Sequence, residues 1–209
     1  MFRTCLAFGF FSAALALAAP VLAQQEDDAK AISATSGRAH RDGATLTLRA
    51  KDRQVRLIDG KCLASSEDHG CSYRLLRYDQ DHHVFLVDAV FDLELAVVLW
   101  VGDDDGRIVV LPDEPQFSPD GRRFVTVRSC ELADGACGLQ IWSAAKPRLL
   151  WQHQPTEYAE YQFIRWQNSR QIALTATTWI DHKLTSVPAT LSADRSGSWH
   201  LDGPVERSN

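Results

Sequence analysis

The sequence predicts an all-β protein made of short antiparallel strands. Apolar and polar residues alternate with a period of two in segments such as Thr45–Leu48, which is typical of a strand with one buried face. Turn-forming residues, for example Ser118–Gly121, separate the apolar runs. A related segment also recurs about every 40 residues, as in repetitive β architectures.

The N-terminal residues predict an export signal. Met1–Arg3 gives a short basic start, Leu6–Leu17 is an apolar run, and Val21 and Ala23 are the small residues of a cleavage site. We therefore expect residues 1–23 to be a signal peptide and the mature protein to be periplasmic or secreted. An uncleaved membrane anchor is the alternative, since a span needs about 20 apolar residues.

The mature chain has the size of one domain and a mildly acidic balance. Residues 24–43 are polar without periodicity and predict a flexible lead-in, so the folded domain is expected at 44–209. Without Arg3, Lys plus Arg falls from 22 to 21 against 27 Asp plus Glu, which is a net charge of −6. Nucleic-acid binding needs clustered positive charge, so this class is excluded. No segment after the signal predicts a membrane span.

Strand-like runs fill the domain, and turn residues separate them. Pro fixes φ, Gly accepts positive φ, and Asp and Asn bond to their own backbone in such turns. The run Asp88–Leu99 has some helical character, but its Val, Phe and Leu content favours a strand. After Thr45–Leu48, we predict strands at Gln54–Leu57, Tyr73–Tyr78, His83–Phe91, Leu95–Val101, Arg107–Leu111, Arg123–Arg128, Leu139–Trp142, Arg148–His153, Gln162–Trp166, Ile172–Thr178 and Ser198–Leu201.

Four cysteines follow the signal: Cys62, Cys71, Cys130 and Cys137. An even number in an oxidising compartment indicates two disulfides. Three pairings are possible, and the polar turn residues between the cysteines favour the local pairing of Cys62 with Cys71 and of Cys130 with Cys137. The spacings differ from common zinc-binding patterns, so we predict no metal and no cofactor.

An internal repeat carries a resemblance to a known family. Tyr78–Val87 aligns with Phe117–Thr126 at an offset of 39 residues, and Trp166–Leu174 is a third, degenerate copy. Pro115–Val125 resembles the repeat of WD-like β-propellers of the bacterial envelope, including the propeller of the Tol system. The resemblance implies a hairpin turn at Ser118–Gly121 and a propeller-like array of about four short blades, incomplete or open.

Two polar clusters contain potential metal ligands. The acidic loop Gly102–Gly106 lacks the spaced ligands of an EF-hand, and its Asp-Gly pair predicts a hairpin turn instead. Asp79, Asp81, His82 and His83 form the second cluster. Neighbouring strand residues point to opposite faces, so we interpret these four as solvated turn residues.

No catalytic motif is visible, and we expect a non-catalytic protein. Neither H-E-x-x-H nor G-x-S-x-G is present. The paired carboxylates of a glycosidase leave no local motif, so a glycan-directed hydrolase using loop Asp and Glu residues stays an alternative. An inhibitor or immunity-type protein for an exported enzyme is a third interpretation.

Four residues are the candidate binding site: Tyr158, Tyr161, Trp179 and His182. Tyr and Trp are favoured at binding surfaces, and Trp179 lies near an expected loop. The alternative is a buried satellite cluster of these rings. The sequence therefore predicts a binding module that contacts a protein or a cell-wall component.

Overall fold

The computed structural model describes residues 18–63, 70–91, 95–130, 137–155 and 160–203. Within these ranges one helix, α1 (Ala18–Ser33), precedes fifteen strands, so the predicted all-β class is confirmed. No helix in the described ranges has the length and apolar character needed to cross a membrane.

The strands form four antiparallel sheets, and each sheet is a meander of consecutive strands. Sheet A contains β1 (Ala39–Asp42), β2 (Thr45–Arg49) and β3 (Gln54–Ile58). Sheet B contains β4 (Cys71–Asp79), β5 (Val84–Phe91), β6 (Leu95–Gly102) and β7 (Ile108–Leu111). Sheet C contains β8 (Gln116–Phe117), β9 (Arg123–Arg128), β10 (Gly138–Ser143) and β11 (Arg148–His153). Sheet D contains β12 (Glu160–Asn168), β13 (Gln171–Ile180), β14 (Lys183–Ala193) and β15 (Trp199–Asp202).

The sheets pack face to face in chain order. Alternating side chains of one strand contact the sheet before it and the sheet after it. In β5, Phe85 and Val87 pack with residues of sheet A, whereas Val84 and Leu86 pack with residues of sheet C. Successive side chains of a strand point to opposite faces, so a strand buried on both faces is apolar at every position. A third cluster, which includes Ile141 and Leu174, joins sheets C and D.

Aromatic rings connect sheets B and C. Trp100 of β6 stacks on Phe124 of β9 with ring centroids 5.0 Å apart, and Phe124 stacks on Trp142 of β10 at 6.0 Å. Trp100 and Phe124 are almost completely buried. Trp100 and Trp142 therefore both pack on the Phe124 ring.

The best-preserved repeat forms the predicted hairpin turn between β8 and β9. Gly121 adopts a φ of 65° and donates its N–H to the carbonyl of Ser118 at 2.8 Å. The Ser118 hydroxyl donates to Asp120 at 2.7 Å. A left-handed φ has little steric cost for Gly, which explains why this residue ends the turn.

Both predicted disulfides are confirmed in the local pairing. Cys62 is bonded to Cys71 with Cα atoms 5.4 Å apart, and Cys130 is bonded to Cys137 with Cα atoms 4.9 Å apart. The loop residues 64–69 and 131–136 lie outside the described residues. The bridges join the start of β4 to the preceding loop and the end of β9 to the start of β10.

The flexible lead-in predicted for residues 24–43 is wrong. Much of this segment is in α1 and β1, where Asp28 and Ala39 are buried. Ala31 and Ile32 pack against the core between sheets A and B. Polar composition concealed this order because the segment is held largely by hydrogen bonds from charged side chains.

The longest strand, β14, was not predicted. Pro188 interrupts its sequence, and Pro argues against a central strand because it donates no hydrogen bond to the ladder. The partner strand β15 pairs only with Thr190–Ala193. Pro188 therefore lies in the part of β14 that is bonded on one side only, opposite Thr175 of β13.

Candidate functional site

The structure places Tyr161 in the core and Trp179 at an exposed position, so these two predicted binding residues do not form one surface. Tyr158 lies outside the described residues. Tyr161 is on β12 with 6% of its surface exposed, in the core between sheets C and D. Its hydroxyl lies 3.5 Å from His153 Nε2. Tyr161 therefore has little surface to present to a partner.

Trp179 and His182 lie together at the end of the β13–β14 hairpin. We call the six residues Trp179–Leu184 the hairpin tip. Trp179 is 58% exposed and is paired across the hairpin with Leu184, which is 61% exposed. Ile180 adds a third exposed apolar side chain. The hairpin tip thus concentrates three apolar side chains in a stretch of six residues.

Trp179 and Leu184 share the outer face of sheet D. The alternate residues Leu174 and Ala176 of β13 are buried against sheet C, and β13 pairs with β14 without a register shift. Side chains alternate along a strand, and directly opposed residues of two strands share a face. Trp179 and Leu184 are therefore neighbours on the face that points away from the core.

The turn at the hairpin tip is tight and unusual for its residues. Asp181 and His182 have φ values of 49° and 61°, as in the two-residue turns that match the twist of a hairpin. Left-handed φ is uncommon for residues other than Gly. Just before the tip, the hydroxyls of Thr177 and Ser186 are hydrogen-bonded across the hairpin at 2.9 Å.

Sequence reasoning missed Ile180 and Leu184 as partners of Trp179. The signal was present, because Asp181-His182 is the centre of a possible two-residue turn and would bring positions 179 and 184 together. Asp181 and His182 are neither Gly nor Asn, the residues that usually indicate such a turn. Because β14 was also not predicted, the sequence did not indicate the pairing of Trp179 with Leu184.

A cavity of about 500 Å³ lies between α1, sheet A and sheet B. Its charged lining residues are bonded to one another. Arg41 bonds Asp28 at 2.6 Å and Asp59 at 3.2 Å, and Arg74 bonds Asp88 at 2.9 Å. Asp28 of α1 is thereby bonded to Arg41 of β1, and this ion pair holds α1 against sheet A.

A second pocket of about 320 Å³ lies where loops of sheets B and C meet, and its lining includes His82 and His83 of the second polar cluster. Asp81 and His83 are in the β4–β5 turn. His82 instead donates from Nδ1 to the Asp79 carboxylate at 2.8 Å and stacks on Phe117 with centroids 3.5 Å apart. His82 is therefore a contact between sheets B and C rather than a solvated turn residue.

The acidic loop Gly102–Gly106 of the same pocket forms the predicted turn between β6 and β7. Asp103 is buried and accepts bonds from Arg38 and from the hydroxyl of Tyr78, each at 2.5 Å. Burial, followed by the Asp103 carboxylate, raises the pKa of Tyr78 to about 12. Among the residues that the structure describes, no group of three His, Cys, Asp or Glu side chains is arranged to hold a metal ion.

Comparison with known proteins gives no relative. No family model, no curated protein and no solved structure matches this chain. The function is therefore argued from the geometry of the chain itself.

The hairpin tip differs from the other sites described above, because its large apolar side chains are exposed instead of packed within the protein. The charges in the cavity at α1 are paired, and Asp103 and His82 hold neighbouring elements together. Trp179 and Leu184 instead keep large apolar surfaces in water. Exposed apolar groups next to one another mark interaction sites.

Proposed function

We propose that this chain is an exported, non-catalytic binding module that inserts its hairpin tip into an apolar cleft of a partner protein at the cell envelope. The observation that carries the proposal is the exposure of Trp179 and Leu184 side by side at the end of a long hairpin. Interface hot spots are enriched in Trp.

The energetics support this use of the tip. Full burial of a Leu or similar side chain contributes about 1.5–3 kcal/mol, and a Trp buries still more area. A tight turn with a fixed backbone loses little entropy on binding. Asp181 and Lys183 carry charge beside the apolar side chains and His182 adds a polar ring, which suits the polar rim of a protein cleft.

The scaffold supports the proposal in a second way. We infer that the four meanders are blades of an open propeller-like array, because each is a consecutive antiparallel sheet and each packs on the next. The outer face of sheet D carries the exposed side chains of Trp179 and Leu184, so this face is available to a partner. Two disulfides are typical of proteins in an oxidising compartment, which supports export.

Substitution of the tip tests the proposal. The double variant Trp179→Ala, Leu184→Ala should lose capture of the partner that the wild-type chain retains from envelope extract in stoichiometric amount. Its free energy of unfolding should change by less than about 0.5 kcal/mol for each position, because surface substitutions have small effects. Tyr161→Ala should instead cost about 3–5 kcal/mol, as truncation of a buried ring does.

Ile164→Ala is the matched control, since Ile164 of β12 is 54% exposed but lies away from the tip. This variant should capture the partner as the wild type does. Equal capture by all variants would refute the role of the tip. If the captured partner is an exported enzyme that loses activity in the complex, the module acts as its inhibitor.

A further inference from the structure

A second interaction surface lies on sheet C, at the outer edge of β11. This strand ends its sheet, which has the order β11-β10-β9-β8. Leu149 and Leu150 are 38% and 41% exposed, and Arg148 and Gln152 are exposed as well. An apolar edge strand with unpaired backbone is a template for pairing with another chain.

The register shows which backbone groups of β11 are directed outwards. Ala144, which follows β10, donates its N–H to the carbonyl of Arg122 next to β9, so even-numbered residues of β10 bond to β9 and odd-numbered ones to β11. In an antiparallel ladder, bonded and non-bonded pairs alternate. Gln152 is opposite Gln140 and therefore directs its N–H and C=O away from the sheet.

The outer edge of β4 differs from that of β11, because side chains bind its outward backbone N–H and C=O groups. At the outer edge of β4, Asp59 accepts from the Tyr73 N–H at 2.9 Å and Arg41 donates to the Tyr73 carbonyl at 2.5 Å. Asp28 accepts from the Leu75 N–H at 2.8 Å. No described residue outside sheet C makes a comparable backbone bond to Leu149–Gln152.

The charge of this edge indicates what it binds. Lys146 and Arg148 lie at the start of β11 and His153 at its end, and the strand contains no acidic residue. The whole chain is acidic, with a net charge of −5. A second copy of β11 has no acidic residue to meet Arg148 or Lys146, so charge complementarity favours a different partner.

We propose that the outer edge of β11 binds an extended segment of a partner protein by strand addition. The segment has apolar residues that cover Leu149 and Leu150 and a carboxylate that meets Arg148 and Lys146. In this mode, main-chain hydrogen bonds supply affinity and side-chain contacts supply specificity. The surface is separate from the hairpin tip and does not depend on it.

Gln152→Pro tests the strand addition directly. Pro removes the outward N–H at this position without removing a bond to β10, which is where a sheet tolerates Pro. Gln152→Ala is the matched control, since it keeps the N–H. The probe is a synthetic peptide as long as β11, with alternating Val and Thr and an Asp at each end, followed by fluorescence anisotropy with the full chain.

The peptide should bind the wild type and Gln152→Ala equally, and Gln152→Pro at least about tenfold more weakly, a loss of about 1.4 kcal/mol. A version with Lys in place of Asp should bind about tenfold more weakly than the acidic one. Absence of binding, equal binding to Gln152→Pro, or equal binding of both peptides would overturn the proposal. Self-association that Gln152→Pro abolishes would identify a second copy as the partner and also overturn it.

If Gln152→Pro unfolds, Leu149→Ser with Leu150→Ser provides the second variant. These exposed positions tolerate a polar side chain of no charge, and the acidic peptide should then lose its apolar contacts and bind at least about tenfold more weakly. Unchanged binding would overturn the proposal. The double variant of the hairpin tip should bind the peptide as the wild type does, so the two surfaces are tested separately.

Discussion

Tyr78 is a residue whose protonation depends on its neighbours in the fold. Its hydroxyl donates to Asp103, and the guanidinium of Arg38 lies 5.2 Å from its ring centroid. Burial and the negative carboxylate both disfavour the phenolate, and the pKa of Tyr78 rises from 10.0 to about 12. This single ring connects the segment after α1 to the β6–β7 turn.

The raised pKa predicts a pH dependence with a definite sign. The folded state holds the Tyr78 proton more tightly than the unfolded state, so its contribution to stability is complete below about pH 10 and is lost as the pH rises towards 12. Ultraviolet titration of the phenolate, compared with Tyr78→Phe, should show one midpoint near 12. Asp103→Asn should lower that midpoint, and an unchanged midpoint would contradict the role of Asp103.

At this scale the sequence could indicate Trp179 as exposed but could not show that Tyr161 is buried. Trp179 lies next to polar residues and a turn. The alternation that would have assigned Tyr161 to the core is broken in β12, because the register shifts between Phe163 and Arg165 and again between Trp166 and Asn168. A period of two cannot be traced through two irregularities in nine residues.

At the scale of elements, two glycines with similar backbone angles have different surroundings. Gly138 at the start of β10 has a φ of 89°, and Gly197 in the β14–β15 turn has a φ of 91°. A Cβ atom on Gly138 would clash with the carbonyl oxygen of His153, whereas nothing lies within 4 Å of one on Gly197. Both positions need the left-handed φ that Gly accepts.

Alanine at these positions should separate backbone strain from collision. Gly197→Ala should lower the free energy of unfolding by about 1–2 kcal/mol, the cost of the left-handed region for a residue with a Cβ. Gly138→Ala should cost clearly more, because the β10–β11 pairing must also move apart. Urea unfolding of both variants measures the difference. An equal loss of unfolding free energy in the two variants would show that β10 and β11 move apart at no cost.

The sequence predicted well those strands and turns whose characteristic residues are neighbours in the chain. Strands β5 and β6 are continuous apolar runs, and the β8–β9 turn has the Pro-Asp-Gly residues that its geometry needs. Helix α1 was missed because its main anchor is Asp28, which is buried through partners far along the chain. Nothing in the adjacent residues reveals such partners.

At the scale of the molecule, one apolar cluster joins two halves. Sheets A and B share a core, and sheets C and D share another. Between the halves lie Trp100 and Phe124, together with residues such as Leu86 and Leu111. The cooperativity of the whole protein therefore depends on this interface.

Phe124→Ala should weaken the coupling of the halves. Loss of a buried aromatic ring costs about 3–5 kcal/mol, and here the cost falls on the contact between sheets B and C. Calorimetry should show one unfolding transition for the wild type, and in Phe124→Ala this transition should broaden or divide into two. Val110→Ala on β7, where the side chain is 56% exposed, should leave one transition. A single sharp transition in Phe124→Ala would contradict the division into halves.

The repeat in the sequence predicted which segments form successive sheets, but it did not predict the angles between neighbouring sheets. Offsets near 40 residues identified the meanders that became sheets B, C and part of D. Sheet A, with three short strands, has no copy of the motif. Whether such sheets form a ring depends on the angle between neighbours, which is set by side-chain volumes across each interface and has no local signature.

The stacking of meanders in chain order has a consequence for how the protein assembles during synthesis. Each sheet is complete within one continuous stretch of chain, and its partner is the next sheet along. Contacts between near neighbours in sequence allow fast folding, and domains fold from the N-terminus as the chain emerges. Sheets A and B can therefore close their shared core while sheet D, with the hairpin, has yet to emerge.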